Sequence, residues 1–119
     1  MRRKTIFIDI DGTCIKHQGE YENMLTMEPE VLPGVLEFFQ KHRAEEALII
    51  VTTARGSAHR SITEAQLKKC GLEYDHLIMD VTDGERWVIN DEKPDMAVTA
   101  RGFTVKRNLG INSVDFPEF

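Results

Sequence analysis

With 119 residues, the chain is long enough for one hydrophobic core and too short for a core plus an independent second lobe, so a single domain over 1–119 is expected. Its 41% hydrophobic and 29% charged content excludes disordered and fibrous classes. The net charge of -5, from 15 basic and 20 acidic residues, disfavours a nucleic-acid binder that relies on bulk electrostatic attraction.

The start Met1-Arg2-Arg3-Lys4 is basic, but Asp9 and Asp11 interrupt the apolar stretch behind it. It therefore reads as neither a signal peptide nor a membrane span, and a cytoplasmic location is expected. From Ile6 to Ile10 the chain reads as a strand, and at its end come two carboxylates one residue apart, then Gly12. In a strand, residues i and i+2 point to the same side, so Asp9 and Asp11 would leave the sheet close together and repel unless a cation or shared proton intervenes. The polar stretch from Asp11 to Pro33 is long for a connection in so small a domain, and a short flap or hairpin is expected around 13–30.

Pro33 suits the first turn of a helix, and Val35, Leu36, Phe38, Phe39 and His42 place an apolar stripe along one face of it. Leu48-Ile49-Ile50-Val51 is continuously apolar, as strands buried on both faces of a parallel sheet are. Ser57 can cap a second helix reaching about Cys70, with Ala58, Ile62 and Ala65 at helical spacing and Gly71 as its stop. A third strand is expected at His76–Met79 and a fourth at Arg86–Asn90. A short helix over Pro94–Ala100 and a last strand over Gly102–Lys106 follow. Alternation of this kind predicts a three-layer α/β sandwich with a mainly parallel, Rossmann-like sheet and right-handed crossovers.

Cys14 and Cys70 form no C-x-x-C pair, and no disulfide is expected in a reducing compartment. His17, His42, His59 and His76 show neither i, i+4 pairing nor a His/Cys cluster, so they read as surface or helix-face residues rather than zinc ligands.

Ligands of open α/β sheets bind outside the carboxyl ends of the strands. Three such ends carry chemistry here: Asp9 and Asp11; Thr52-Thr53-Ala54-Arg55; and Asn90-Asp91, with Lys93 and Asp95 close behind. In these positions the chain resembles the haloacid dehalogenase (HAD) superfamily of phosphohydrolases. Asp9-Ile10-Asp11-Gly12-Thr13 matches the family's D-x-D-G-T motif in full, and Leu48–Arg55 is similar to its second motif. Trp87–Asp91, continued by Asp95, resembles its fourth. The similarity runs in order over residues 5 to 106.

The resemblance implies a Mg²⁺-dependent phosphatase working through an aspartyl-phosphate. Asp9 would be the nucleophile and Asp11 the acid/base. Mg²⁺ would be held by the Asp9 carboxylate, the main-chain carbonyl of Asp11 and the carboxylate of Asp91. Thr53, with Thr52 as the competing choice, would hydrogen-bond the phosphoryl group, helped by the amide near Ala54. Arg55 would touch the rest of the substrate or anchor the start of the following helix. The family's third-motif lysine is missing after the third strand, where Met79-Asp80-Val81-Thr82 stands. Lys93 is the preferred replacement, with Arg86, Lys68 and Lys69 as the others.

No segment is long enough for an inserted cap lobe, so the family reading is of a capless member with an open site. Such a site suits a small phosphorylated metabolite, such as a sugar phosphate, under a neighbouring subunit of a homo-oligomer. It equally suits a large substrate, a polynucleotide end or a phosphoprotein. The acidic balance ranks the small metabolite first. Two rivals remain: a response-regulator receiver, whose acids would be adjacent rather than alternating, and a catalytically weak phosphatase-like binding module.

Overall fold

A computed structural model describes residues 3–117. Three parallel strands, β1 (Thr5–Asp9), β2 (Leu48–Thr52) and β3 (His76–Ile78), form one sheet in the order β1-β2-β3. Helix α1 (Tyr21–Thr26) lies in the long connection after β1, α2 (Val35–Ala44) links it to β2, and α3 (Arg60–Lys69) links β2 to β3. The result is an α/β fold with a parallel sheet. Among the described residues no helix is long and apolar enough to cross a membrane.

Register decides which face is buried. Ile8, Val51 and Leu77 are partners across the three strands and share a face. All three are buried and belong to one core cluster with Val35 and Phe39 of α2 and Leu67 of α3. Both helices therefore cover the same face of the sheet. The opposite face carries Phe7 and Ile50 in one row and Asp9, Thr52 and Ile78 in the next, and Phe7 and Ile78 are about half exposed there. The second helical layer of a three-layer sandwich is not formed by the described residues.

Beyond β3 the sequence expectations are corrected. Arg86–Asn90 and Gly102–Lys106 are not strands, and Pro94–Ala100 is not a helix. Trp87 is 77% and Ile89 87% exposed. The segment's own bonds are local: Met96 N–H donates to the Lys93 carbonyl at 2.7 Å and Ala97 N–H to Asp95 Oδ1 at 3.1 Å. A strand has no internal hydrogen bonds, so an apolar run becomes one only where a neighbouring edge accepts its main chain. Hydrophobic pattern reports what a segment could bury, and among the described residues β1 has no second neighbour.

The chain returns to the core through Val105, which packs against it, and Ile111, which is buried and donates its N–H to the Pro33 carbonyl at 3.1 Å, against the start of α2. Gly110 makes this approach at φ +88°, and a Cβ there would sit 2.3 Å from the Pro33 carbonyl oxygen. Gly110→Ala is expected to cost roughly 2–4 kcal/mol, combining the left-handed backbone penalty with a main-chain clash. Urea unfolding checks this, and a variant within about 0.5 kcal/mol of wild type would refute the packing described.

The cysteines are free: Cys14 is buried and Cys70 half-buried. Burial, with Asp9 and Asp11 nearby, pushes the Cys14 thiol far above its ordinary range, so it stays a protonated core residue.

Candidate active site

The site begins where β1 stops. Past Asp9 the chain closes a tight loop on itself: the N–H groups of Cys14 and Ile15 donate to the Ile10 carbonyl at 2.8 and 3.0 Å, and Gly12 N–H to the Ile15 carbonyl at 2.7 Å. Gly12 takes φ +86°, a conformation that glycine adopts without strain. From this loop a flap runs out and back. Lys16 N–H reaches the Glu30 carbonyl and Leu32 N–H the Cys14 carbonyl, with α1 at its outer end and Met24 buried beneath.

Asp9 and Asp11 leave this corner with different surroundings. The Asp9 side chain is 37% exposed. Burial raises its pKa most, with Asp11 adding to the rise; the Ile10 N–H, Arg86 and the Thr13 hydroxyl oppose it. The two side-chain partners are loose, the Thr13 hydroxyl at 3.4 Å and the Arg86 guanidinium at 4.0 Å. Asp9 is thus a partly desolvated carboxylate with room for another ligand.

Asp11 is held by Arg55. The guanidinium grips it side-on, Nε to Oδ2 at 2.9 Å and Nη2 to Oδ1 at 2.8 Å. Nη1 donates to Thr63 Oγ1 at 3.1 Å and Gln66 Oε1 at 2.6 Å, and Nη2 also reaches the Met24 carbonyl at 3.5 Å. A guanidinium has five N–H donors, and these contacts occupy all of them. The Arg55 side chain is 2% exposed. The substrate-contact role expected for Arg55 is therefore corrected, since it has no donor to offer a ligand. It fastens the β1 loop, the flap helix and α3 to one another. Gln66 completes the knot by donating its amide to the Met24 carbonyl at 2.8 Å.

This knot also reverses the expected face of α3. Its buried residues are Thr63, Gln66 and Leu67, while Ile62 is exposed. A buried guanidinium requires acceptors, so a polar pair faces inward where spacing pointed to Ile62. Ser57 does not cap this helix by its side chain; it lies in a 3₁₀ turn, Ser57–His59, and its N–H donates to Asp80 Oδ1 at 3.1 Å. The loop after β2 is tied down further by Tyr21, whose hydroxyl accepts the Gly56 N–H at 2.9 Å and meets His59 Nδ1 at 2.9 Å.

The two threonines are distinguished by register. Thr52 is the partner of Asp9 and stands on its face of the sheet. Thr53 is buried and its Oγ1 accepts the Arg55 N–H at 3.1 Å, leaving its own hydroxyl proton to donate. Ala54 lies exposed between Thr53 and Arg55.

The residues expected from a fourth strand are placed elsewhere. Asp91 is exposed in the irregular segment, its carbonyl accepting the Thr99 hydroxyl, and among the described residues no group of three or more His, Cys, Asp or Glu side chains is gathered as a metal site. Lys93 sits in a local turn with Ala97. Of the alternatives to Lys93, Arg86 lies 4.0 Å from Asp9, and Lys69 pairs with Glu28 at 2.5 Å. For Mg²⁺ the donors that fit are those at β1. Asp9 offers an incompletely partnered hard oxygen, and the Asp11 side chain is committed to Arg55, which leaves its main-chain carbonyl as its contribution.

Sequence reasoning missed Thr63, Gln66 and Tyr21. Only the polar positions on the otherwise helical α3 pattern carried a signal, since a buried partner for a nearby arginine must be polar.

No protein-family model matches the chain, and no curated protein matches it. Among solved structures, a chain of the Pnkp1/Rnl/Hen1 complex is similar, with a TM-score of 0.58 and 26% identity over 71% of this chain. A chain of the Pnkp1/Rnl/Hen1 RNA repair complex is similar to the same degree, TM-score 0.58 and 26% identity over 71%. This chain spans only 30% and 28% of the length of those two chains.

Proposed function

We propose that the chain is a Mg²⁺-dependent phosphatase of the haloacid dehalogenase type that removes the terminal phosphate from a nucleic-acid end. The observation carrying the chemistry is the unequal pair at the carboxyl end of β1. Asp9 is incompletely partnered, and Asp11 beside it is fixed by five-point anchorage of Arg55. Likeness to chains of an RNA repair complex supports the polynucleotide substrate over the sugar phosphate that the acidic net charge ranks first.

In the reaction, an Asp9 oxygen attacks phosphorus as the bond to the leaving oxygen breaks, giving an aspartyl-phosphate. Asp11 gives its proton to the leaving oxygen, then takes one from the water that attacks phosphorus and frees Asp9. Both Asp11 oxygens accept from Arg55, so carrying that proton requires one oxygen to release its hydrogen bond. The Thr53 hydroxyl donates to the phosphoryl oxygens, with Thr52 on the Asp9 face as the other candidate. Arg86 supplies the positive charge of the missing lysine. Mg²⁺, held by Asp9 and the Asp11 carbonyl, would mask the negative charge between nucleophile and phosphate.

The test is phosphate release from 3′- and 5′-phosphorylated oligonucleotides, sugar phosphates, a phosphopeptide and an aryl phosphate, with Mg²⁺ and with chelator. Release dependent on Mg²⁺ and fastest on an oligonucleotide end is expected. No release from any substrate would overturn the enzyme reading, and release confined to sugar phosphates would return the substrate to the small-metabolite class.

A further inference from the structure

Late in the chain, a second segment is clamped onto the loop that follows Asp11. Asn108 reads the main chain of His17 at both ends: its Oδ1 accepts the His17 N–H at 2.6 Å and its Nδ2 donates to the His17 carbonyl at 3.1 Å. Its own N–H donates to the Gly12 carbonyl at 2.9 Å. Asn108 adopts φ +64°, a left-handed conformation that asparagine tolerates better than most residues. Three hydrogen bonds thus hold residue 108 against residues 12 and 17.

The neighbour, Arg107, is carried to the site by this clamp. Its Cγ lies 3.2 Å, and its Nε 3.8 Å, from where a Cβ on Gly12 would be, so the stem rests on the glycine next to Asp11. The residue is exposed. Charge accounting then singles it out. Asp11 is neutralised by Arg55 and Asp9 faces Arg86, whereas Arg107 makes no ion pair or side-chain hydrogen bond among the described residues. A third guanidinium is therefore held at the rim of the site, uncommitted, in a protein whose net charge is -5.

Hydrolysis of one phosphate does not require it, because the reacting group already has Arg86 and the proposed metal. A substrate with further phosphates offers it a partner of opposite charge. We infer that Arg107 binds a backbone phosphate of a single-stranded nucleic acid, next to the terminal phosphate held at Asp9. Guanidinium geometry suits a phosphodiester, whose two free oxygens can take two parallel N–H donors. Gly12 and Asn108 position the stem. The inference deepens the phosphatase reading and rests on it for the orientation of the strand.

The experiment measures binding and turnover separately. Fluorescence anisotropy with a labelled single-stranded oligonucleotide bearing a terminal phosphate, over a salt series, is run on wild type, Arg107→Gln and Arg107→Lys. Thermal melts confirm folding. Arg107→Gln is expected to weaken binding about tenfold and to lower the slope of log affinity against log salt by about 0.7, the loss of one strand phosphate. Arg107→Lys should recover most of both. In turnover, KM for the oligonucleotide should rise with kcat little changed, and aryl phosphate hydrolysis should be unaffected.

Binding by Arg107→Gln equal to wild type, or no binding by wild type, would overturn the inference. So would an equal loss on oligonucleotide and aryl phosphate, which marks a structural role. Arg107-dependent binding with no phosphate release from any substrate would sink the phosphatase reading and leave the phosphate contact standing.

Discussion

Replacing Arg55 with glutamine is expected to destabilise the protein by about 3–5 kcal/mol, the range for removing one partner from a buried ion pair. The side chain is 2% exposed and Asp11 17%, so solvent can do little to replace what is lost. Two acceptors besides Asp11 would lose their partner at once, Thr63 Oγ1 and Gln66 Oε1, whereas the Met24 carbonyl keeps the Gln66 amide. Lysine restores charge but lacks the planar fork that grips both Asp11 oxygens, so Arg55→Lys should recover only part of the loss. Because the knot joins the flap helix to α3, its rupture also frees the loop that carries Asp11. Activity should therefore fall in Arg55→Lys even at temperatures where that variant is folded. Denaturant unfolding of both variants measures the effect; a cost below about 1 kcal/mol for Arg55→Gln would show that the network is not the anchor described.

That anchor was only half legible in the sequence. The βα order up to residue 78, the helix after Pro33, which starts at Val35 behind a Gly34 cap and leaves Pro33 outside its first turn, and the carboxylates at the end of β1 follow from local pattern, because strand and helix periodicity are written residue by residue. Arg55 was placed at the correct strand end, but its partners come from 8 and 11 residues further on and from the flap, and no local rule names them. The expected Ile62 stripe failed for the same reason. Residues 86–106 show the opposite error. Trp87-Val88-Ile89 has the composition of a strand, yet pairing is a property of a neighbour and not of the segment, and in the structure it lies exposed. With it, Asp91 and Lys93 stay outside the group formed at β1, while Arg86, at the head of the same segment, reaches Asp9. The Asn108 clamp is legible only in three dimensions, since it spans 91 residues.

Asp9 is the centre of the functional account, and its substitution separates chemistry from stability. Its side-chain partners are a hydroxyl at 3.4 Å and an exposed guanidinium at 4.0 Å, so little folding energy depends on its charge. Asparagine keeps its shape and removes both the nucleophilic oxygen and the negative charge. The most direct measurement is Mg²⁺-dependent phosphate release by wild type and Asp9→Asn on the best substrate found, with unfolding followed in parallel. The account predicts a loss of at least about 10³-fold in kcat, with stability within about 1 kcal/mol of wild type. Turnover by Asp9→Asn equal to that of wild type would contradict it.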